Sequence, residues 1–154
     1  MTKGETILGE LVEALEVIQV ANEYHTDAGL DVTLGRPSNV EEHRLPDALL
    51  VVAPQSDGPA NETDGSHVTG SHQMTIGIDG YVRSEEGPEL AALRLLHDIR
   101  QALGLFWPRA QFTASARKIE QSAAQIGTAE DGGRVSVISL TVSVFYIENY
   151  RSVL

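Results

Sequence analysis

The stretch that most constrains this chain is Arg134 to Glu148, where apolar and polar residues alternate almost without interruption. Val135, Val137, Leu140, Val142, Val144 and Tyr146 stand against Ser136, Ser139, Thr141, Ser143 and Phe145. A period of two is the signature of a strand, since successive side chains point to opposite faces. The phase changes near Ile138, as a single bulge would make it. Roughly fifteen residues of strand span about 50 Å at ~3.3 Å each. Two helices do not cover that length, so part of the strand is expected to protrude or to pair with another chain. Upstream, residues 112–126 show an irregular strand pattern with Ile119 and Ile126, and Asp131-Gly-Gly133 is a tight-turn signal. Residues 112–148 therefore read as a long β-hairpin.

The remaining elements arrange themselves around it. From Glu5 to about Tyr24, Ile7, Leu8, Leu11, Val12, Leu15, Ile18 and Val20 recur at helical spacing, with Glu5, Glu10, Glu13 and Glu16 mostly between them. Thr2 or Thr6 is the expected cap, and Gly9 suggests a close backbone approach. Leu30–Arg36 alternates as a short strand, and Asp47–Ala53 is a continuous apolar run suited to a strand covered on both faces. Pro54 to His72 is polar, with Val68 its sole large aliphatic residue. It reads as a long loop or the tip of an extended hairpin. Strand alternation resumes over Gln73–Arg83, where Gly77 and Gly80 suggest a bulge or close packing. A second helix runs from Ser84 or Pro88 through Leu90, Leu93, Leu96, Ile99 and Leu103, and Gly104 is placed to end it. Leu105-Phe-Trp-Pro108 then reads as a compact apolar turn. The expectation is a single α+β domain over residues 1–154. It has a mostly antiparallel sheet of four to five strands, two helices and a long C-terminal β-hairpin.

Composition narrows the function. The 154 residues suit one domain with a real core. A net charge of −11 argues against general nucleic-acid binding, which needs Lys and Arg to displace phosphate counterions. With no cysteine in the chain, disulfides, thiolate metal sites and cysteine nucleophiles are excluded. No apolar run approaches the ~20 residues of a membrane span. The opening residues carry no signal-peptide pattern, so none is expected.

Catalytic motifs are sought and not met. Gly77-x-x-Gly80 lies within a strand, where it cannot open a phosphate loop. His67 and His72 with Asp64 have the residue types of a metal site, but a polar loop supplies no defined ligand geometry. His97-Asp98 has the chemistry of an acid–base pair, yet on a helix it reads as a residue pair at the boundary between core and solvent. Glu41-Glu42 and Glu85-Glu86 read as solvated acids. No enzyme activity, metal or cofactor is expected. Phe106 and Trp107 read first as a cap on the core and second as an interface anchor.

The ordered elements resemble the tail terminator, or tail completion, proteins of tailed bacteriophages. The residues that carry the resemblance are the opening helix Ile7–Tyr24, the strand Leu45-Pro46-x-x-Leu49-Leu50-Val51-Val52 and the segment Met74-Thr-Ile-Gly-Ile-Asp-Gly-Tyr-Val82. To these are added the helix Ala91-x-x-x-Leu95-Leu96-x-x-Ile99-x-x-Ala102-Leu103 and the closing hairpin with Arg134-Val-Ser-Val and Leu140-Thr-Val-Ser-Val-Phe-Tyr146. The resemblance covers roughly residues 5–148 and rests on element order and size. It implies a structural virion protein, assembled in the host cytoplasm and placed at the head-proximal end of the tail. Such a protein forms a ring, a hexamer in that family, that caps the tail tube and ends its polymerisation. Its implied partners are further copies of itself, the tail tube protein, a neck or head-completion protein and, in contractile tails, the sheath. DNA passes through the lumen without specific binding. The expected interface residues are Phe106, Trp107, Arg117, Glu120, Gln125 and Tyr146, with Asp57, Glu62 and Asp64 facing the lumen or a partner. The alternatives are a neck or head-completion adaptor of the same particle and a non-viral α+β binding domain.

Overall fold

The structure is a computed structural model that describes residues 2–35, 47–59, 69–85, 87–128 and 134–149. Helix α1 (Lys3–Glu16) begins on Thr2, whose hydroxyl oxygen accepts the Glu5 amide at 3.1 Å. It buries Ile7, Leu11, Ala14 and Leu15. The helix stops well short of Tyr24, although Ile18 and Val20 continue its spacing. The reason is tertiary. Gly29, in a 3₁₀ turn at Ala28–Leu30, donates its amide to the Ile18 carbonyl at 2.7 Å. A Cβ on Gly29 would lie 2.5–2.7 Å from the carbonyl oxygens of Leu15, Glu16 and Ile18. Only a glycine lets this backbone pack so closely on the helix end. Gly9, the residue expected to permit a close approach, is exposed, and a methyl added there would have nothing within 4 Å.

The strands are β1 (Val32–Leu34), β2 (Ala48–Pro59), β3 (Thr69–Arg83), β4 (Ala116–Gln121), β5 (Gln125–Thr128) and β6 (Val135–Asn149), with α2 (Pro88–Ala114) between β3 and β4. They form one six-stranded sheet in the order β1-β2-β3-β6, with β4 and β5 sharing the outer edge of β6. All pairings are antiparallel except β1 with β2. This is the expected α+β domain, with a C-terminal hairpin of β5 and β6. The hairpin is not left bare on both sides: β3 pairs with β6 over the full span Thr69↔Asn149 to Arg83↔Val135.

Three local expectations are corrected. The β3–β6 register runs unbroken through Ile138, so there is no bulge there. The apparent phase slip arises because Val135 and Val137 lie on one face while Ile138 and Leu140 lie on the other, both faces being partly apolar at that end. Second, residues 54–59 and 69–72 are strand and not loop. They pair in register, Pro59 with His72 and Asp57 with Met74, past a bulge between Pro54 and Ser56. The stem of the extended hairpin thus holds, while its tip, with Glu62, Asp64 and His67, lies outside the described residues. Third, Phe106-Trp107-Pro108 is no turn. Helix α2 continues through it to Ala114, and Ser115 ends it at a left-handed φ of 54°. Phe106, Ala110 and Ala114 fall at four-residue intervals and are fully buried, so packing extends the helix past Gly104 and across Pro108. The segments 36–46, with Glu41 and Glu42, and 129–133, with its Gly-Gly turn, also lie outside the described residues, as does Glu86.

Both helices pack on one face of the sheet. The core joins α1 and α2 to Leu50, Val52, Met74, Ile76, Ile78, Ile138, Leu140, Val142 and Val144. Gly80 is under the helices, where a Cβ would be 2.9 Å from Leu95 Cδ2 and 3.2 Å from Leu50 Cδ2. The close packing expected at Gly80 is therefore present.

Candidate functional site

Two surfaces result from this layering. The first is the sheet face turned away from the helices. Strand alternation brings Thr75, Gly77, Asp79 and Tyr81 of β3 beside Ser143, Thr141, Ser139 and Val137 of β6. Of these, Thr75, Asp79 and Tyr81 of β3 and all four β6 residues are half-exposed. Thr75 Oγ1 and Ser143 Oγ share a hydrogen bond at 3.2 Å. At one end, Phe145 carries the Lys118 ammonium 5.4 Å from its ring centroid, and Lys118 pairs with Glu120 at 2.6 Å. At the other, burial and the nearby Asp79 carboxylate raise the Tyr81 pKa above its ordinary value. Among the described residues no helix covers this face. Its hydroxyl-bearing side chains lie along the middle of β6 and on β3, while Leu49 and Val51 of β2 and Val135 of β6, on the same face, are buried.

The second surface is the outer edge formed by β4 and β5, each only a few residues long. Arg117, Glu120 and Gln125, expected at an interface, are all exposed here. Arg117 occupies a register shift between Ala116 and Lys118, and charged residues on short, bulged strands are how an edge resists indiscriminate pairing. Ile126 stays 44% exposed although its register partner Ile138 is fully buried, because β5 lies beyond the reach of the helices. The opposite edge, on β2, is blunted in another way: Pro54 and Pro59 offer no amide, and a bulge separates them.

The other expected interface residues are placed differently. Phe106 has no exposed surface and is spent on the core. Trp107 is half-buried against the same core. Tyr146 is 4% exposed and on the helix side of the sheet. Its hydroxyl donates to the Asp57 carboxylate, 2.7 Å from Oδ2 and 2.9 Å from Oδ1. The His72 ring stacks on Tyr146 with centroids 5.5 Å apart, and His72 Nδ1 is 3.9 Å from Asp57 Oδ1. Asp57, expected on a loop, is thus a strand residue tying the hairpin stem to β6. Lys3 closes the same corner by donating to the Ile147 carbonyl at 2.6 Å. Sequence reasoning missed the exposed Phe112, Leu90 and Leu93, which are 90%, 62% and 53% exposed. It also missed the half-exposed β3–β6 stretch, although the Ser139-x-Thr141-x-Ser143 phase was its visible signal.

Asp98 is fully buried. Oδ1 accepts the His25 amide at 3.0 Å, and Oδ2 accepts the Thr26 amide and hydroxyl at 2.9 and 2.8 Å. It anchors the loop after α1 to α2. Close by is a cavity of about 510 Å³ whose walls mix the apolar Val20 and Leu30 with Asp27, Asp31 and Arg94. Among the described residues no buried side-chain polar atom lacks a partner, and no helix is long and apolar enough to cross a membrane. No protein-family model and no curated protein matches this chain.

Proposed function

We propose that this chain is a structural assembly protein that works as a ring-forming tail terminator, capping a tail tube and joining it to the neck. The observation that carries the reading is the pairing of one helix-covered sheet face with a second face whose β3–β6 stretch is half-exposed and rich in hydroxyls, beside a short-stranded edge. A ring made by head-to-tail contact needs two different surfaces on each protomer, repeated at a fixed rotation. The half-exposed β3–β6 stretch and the β4–β5 edge are two such surfaces. The resemblance in element order supplies the station, and the charge of −11 fits a lumen through which DNA slides without sticking. The neck or head-completion station would use the same surfaces. The test is mass in solution by light scattering across protein concentration and salt, then negative-stain imaging, then addition to growing tail tubes. The expected results are a ring-sized species and arrested tube growth. A strict monomer that leaves tube growth unchanged would sink the proposal.

A further inference from the structure

We propose that His25, His97 and Asp98 form a binding site for a divalent transition-metal ion of the zinc class. The three residues come from two elements: His25 from the loop after α1, and His97 with Asp98 from α2. One ligand atom from each lies within 4.8 Å of the other two. The two imidazoles meet edge to face, with centroids 5.3 Å apart and planes at 67°. Donors bound to zinc at about 2.0–2.1 Å stand roughly 3.4 Å from one another in a tetrahedral shell. Both histidines are exposed, so rotation about their own side-chain bonds closes that gap without moving backbone.

The carboxylate is what distinguishes this cluster from a chance meeting of surface histidines. Asp98 is fully buried and held by three hydrogen bonds from the very loop that carries His25. A carboxylate has about four acceptor positions. Three are used by described residues, and Oδ1, with one donor, keeps one for an ion. The hydrogen bonds orient the carboxylate as outer partners orient a metal ligand. Two imidazoles and one carboxylate favour zinc, nickel or copper over magnesium and calcium, which take oxygen ligands. A fourth position stays open, and His25 borders the 510 Å³ cavity through which solvent or a partner's side chain reaches it. The bound ion would staple the loop at residues 24–27 to α2. The chain's net charge of −11 favours a cation in general.

The site is independent of the tail-terminator reading, and its test uses the full chain freed of metal by chelation. Zinc, nickel, magnesium and calcium salts are titrated in turn by calorimetry, and thermal unfolding is followed with each. The expected result is one zinc or nickel ion per chain with a raised melting temperature, and no such effect from magnesium or calcium. The H25A/H97A double variant removes two exposed side chains, so it folds. It is expected to lose the melting shift and to weaken binding by about tenfold or more. Cobalt substitution gives a second readout, a visible absorption band of a tetrahedral site present in the parent and absent in the variant. Failure of the parent to bind zinc overturns the proposal. So does equal binding by the double variant, which would assign the ion to His43, His67 or His72.

Discussion

At the scale of single residues, the fold depends on a few side chains with no substitute. Three donors meet on the buried Asp98 carboxylate, so Asp98→Ala strands the His25 and Thr26 amides and the Thr26 hydroxyl. Each orphaned buried donor costs on the order of 1–3 kcal/mol, and partial access of water reduces the sum to about 3 kcal/mol in urea unfolding. Gly29→Ala is expected to lose a similar amount, about 2–3 kcal/mol, because the new methyl meets backbone oxygens that cannot rotate away. Gly9→Ala is its control: it meets nothing and should gain up to about 1 kcal/mol from helix propensity. Tyr24 supplies a pH signature. Burial, then the Asp98 charge, raises its pKa, and burial and Asp79 do the same for Tyr81. The unfolded chain therefore loses these protons first. The stabilisation is complete below the ordinary tyrosine value near ~10 and is lost as pH rises through the higher folded values. Urea midpoints measured upward from about pH 9 should fall, and less steeply in Y24F/Y81F.

At the scale of elements, α2 shows a packing stripe overruling local punctuation. Gly104 and Pro108 both read as helix enders, and Pro108 leaves the Gly104 carbonyl without its helical donor. The apolar series Leu95, Ile99, Leu103, Phe106, Ala110, Ala114 continues regardless, and burying it outweighs the local cost. Pro108 is exposed, so Pro108→Ala should stabilise the chain by roughly 1–3 kcal/mol by restoring that bond. A lower denaturation midpoint would mean that Pro108 itself is needed to seat Phe106. The β2–β3 stem is the converse case. Its Pro-Gln-Ser-Asp-Gly-Pro sequence has poor strand propensity, yet pairing with β3 and the Tyr146–Asp57 hydrogen bond hold it extended.

At the scale of the whole molecule, a sheet face whose β3–β6 stretch is half-exposed invites a neighbour. Thr141 lies at the middle of that face opposite Gly77 and is half-exposed. Thr141→Arg therefore has room in the isolated chain and should change its stability by only about 0.5 kcal/mol, as for other surface changes. In the proposed ring it would place a charge in the contact. The expected outcome is loss of the large species in light scattering with an unchanged unfolding midpoint. Ile126→Asp tests the β5 edge in the same way. A ring that survives both variants would assign its contacts to other surfaces, with the exposed Phe112 next to be examined.

Periodicity, and the element types it dictates, was legible along the chain alone. The alternation of β6, the apolar run of β2 and the stripes of α1 and α2 announce their type because side-chain spacing is a local property of the backbone. With them came the α+β class. Where elements stop and what they touch depended on contacts between distant parts of the chain. Glu16 ends α1 because Gly29, far along the chain, occupies the space beyond it. Phe106 is core because α2 has a sheet to lie on, and Asp57 is held as a strand residue because Tyr146 reaches it. Burial and pairing between distant positions set those outcomes, and no local pattern records them.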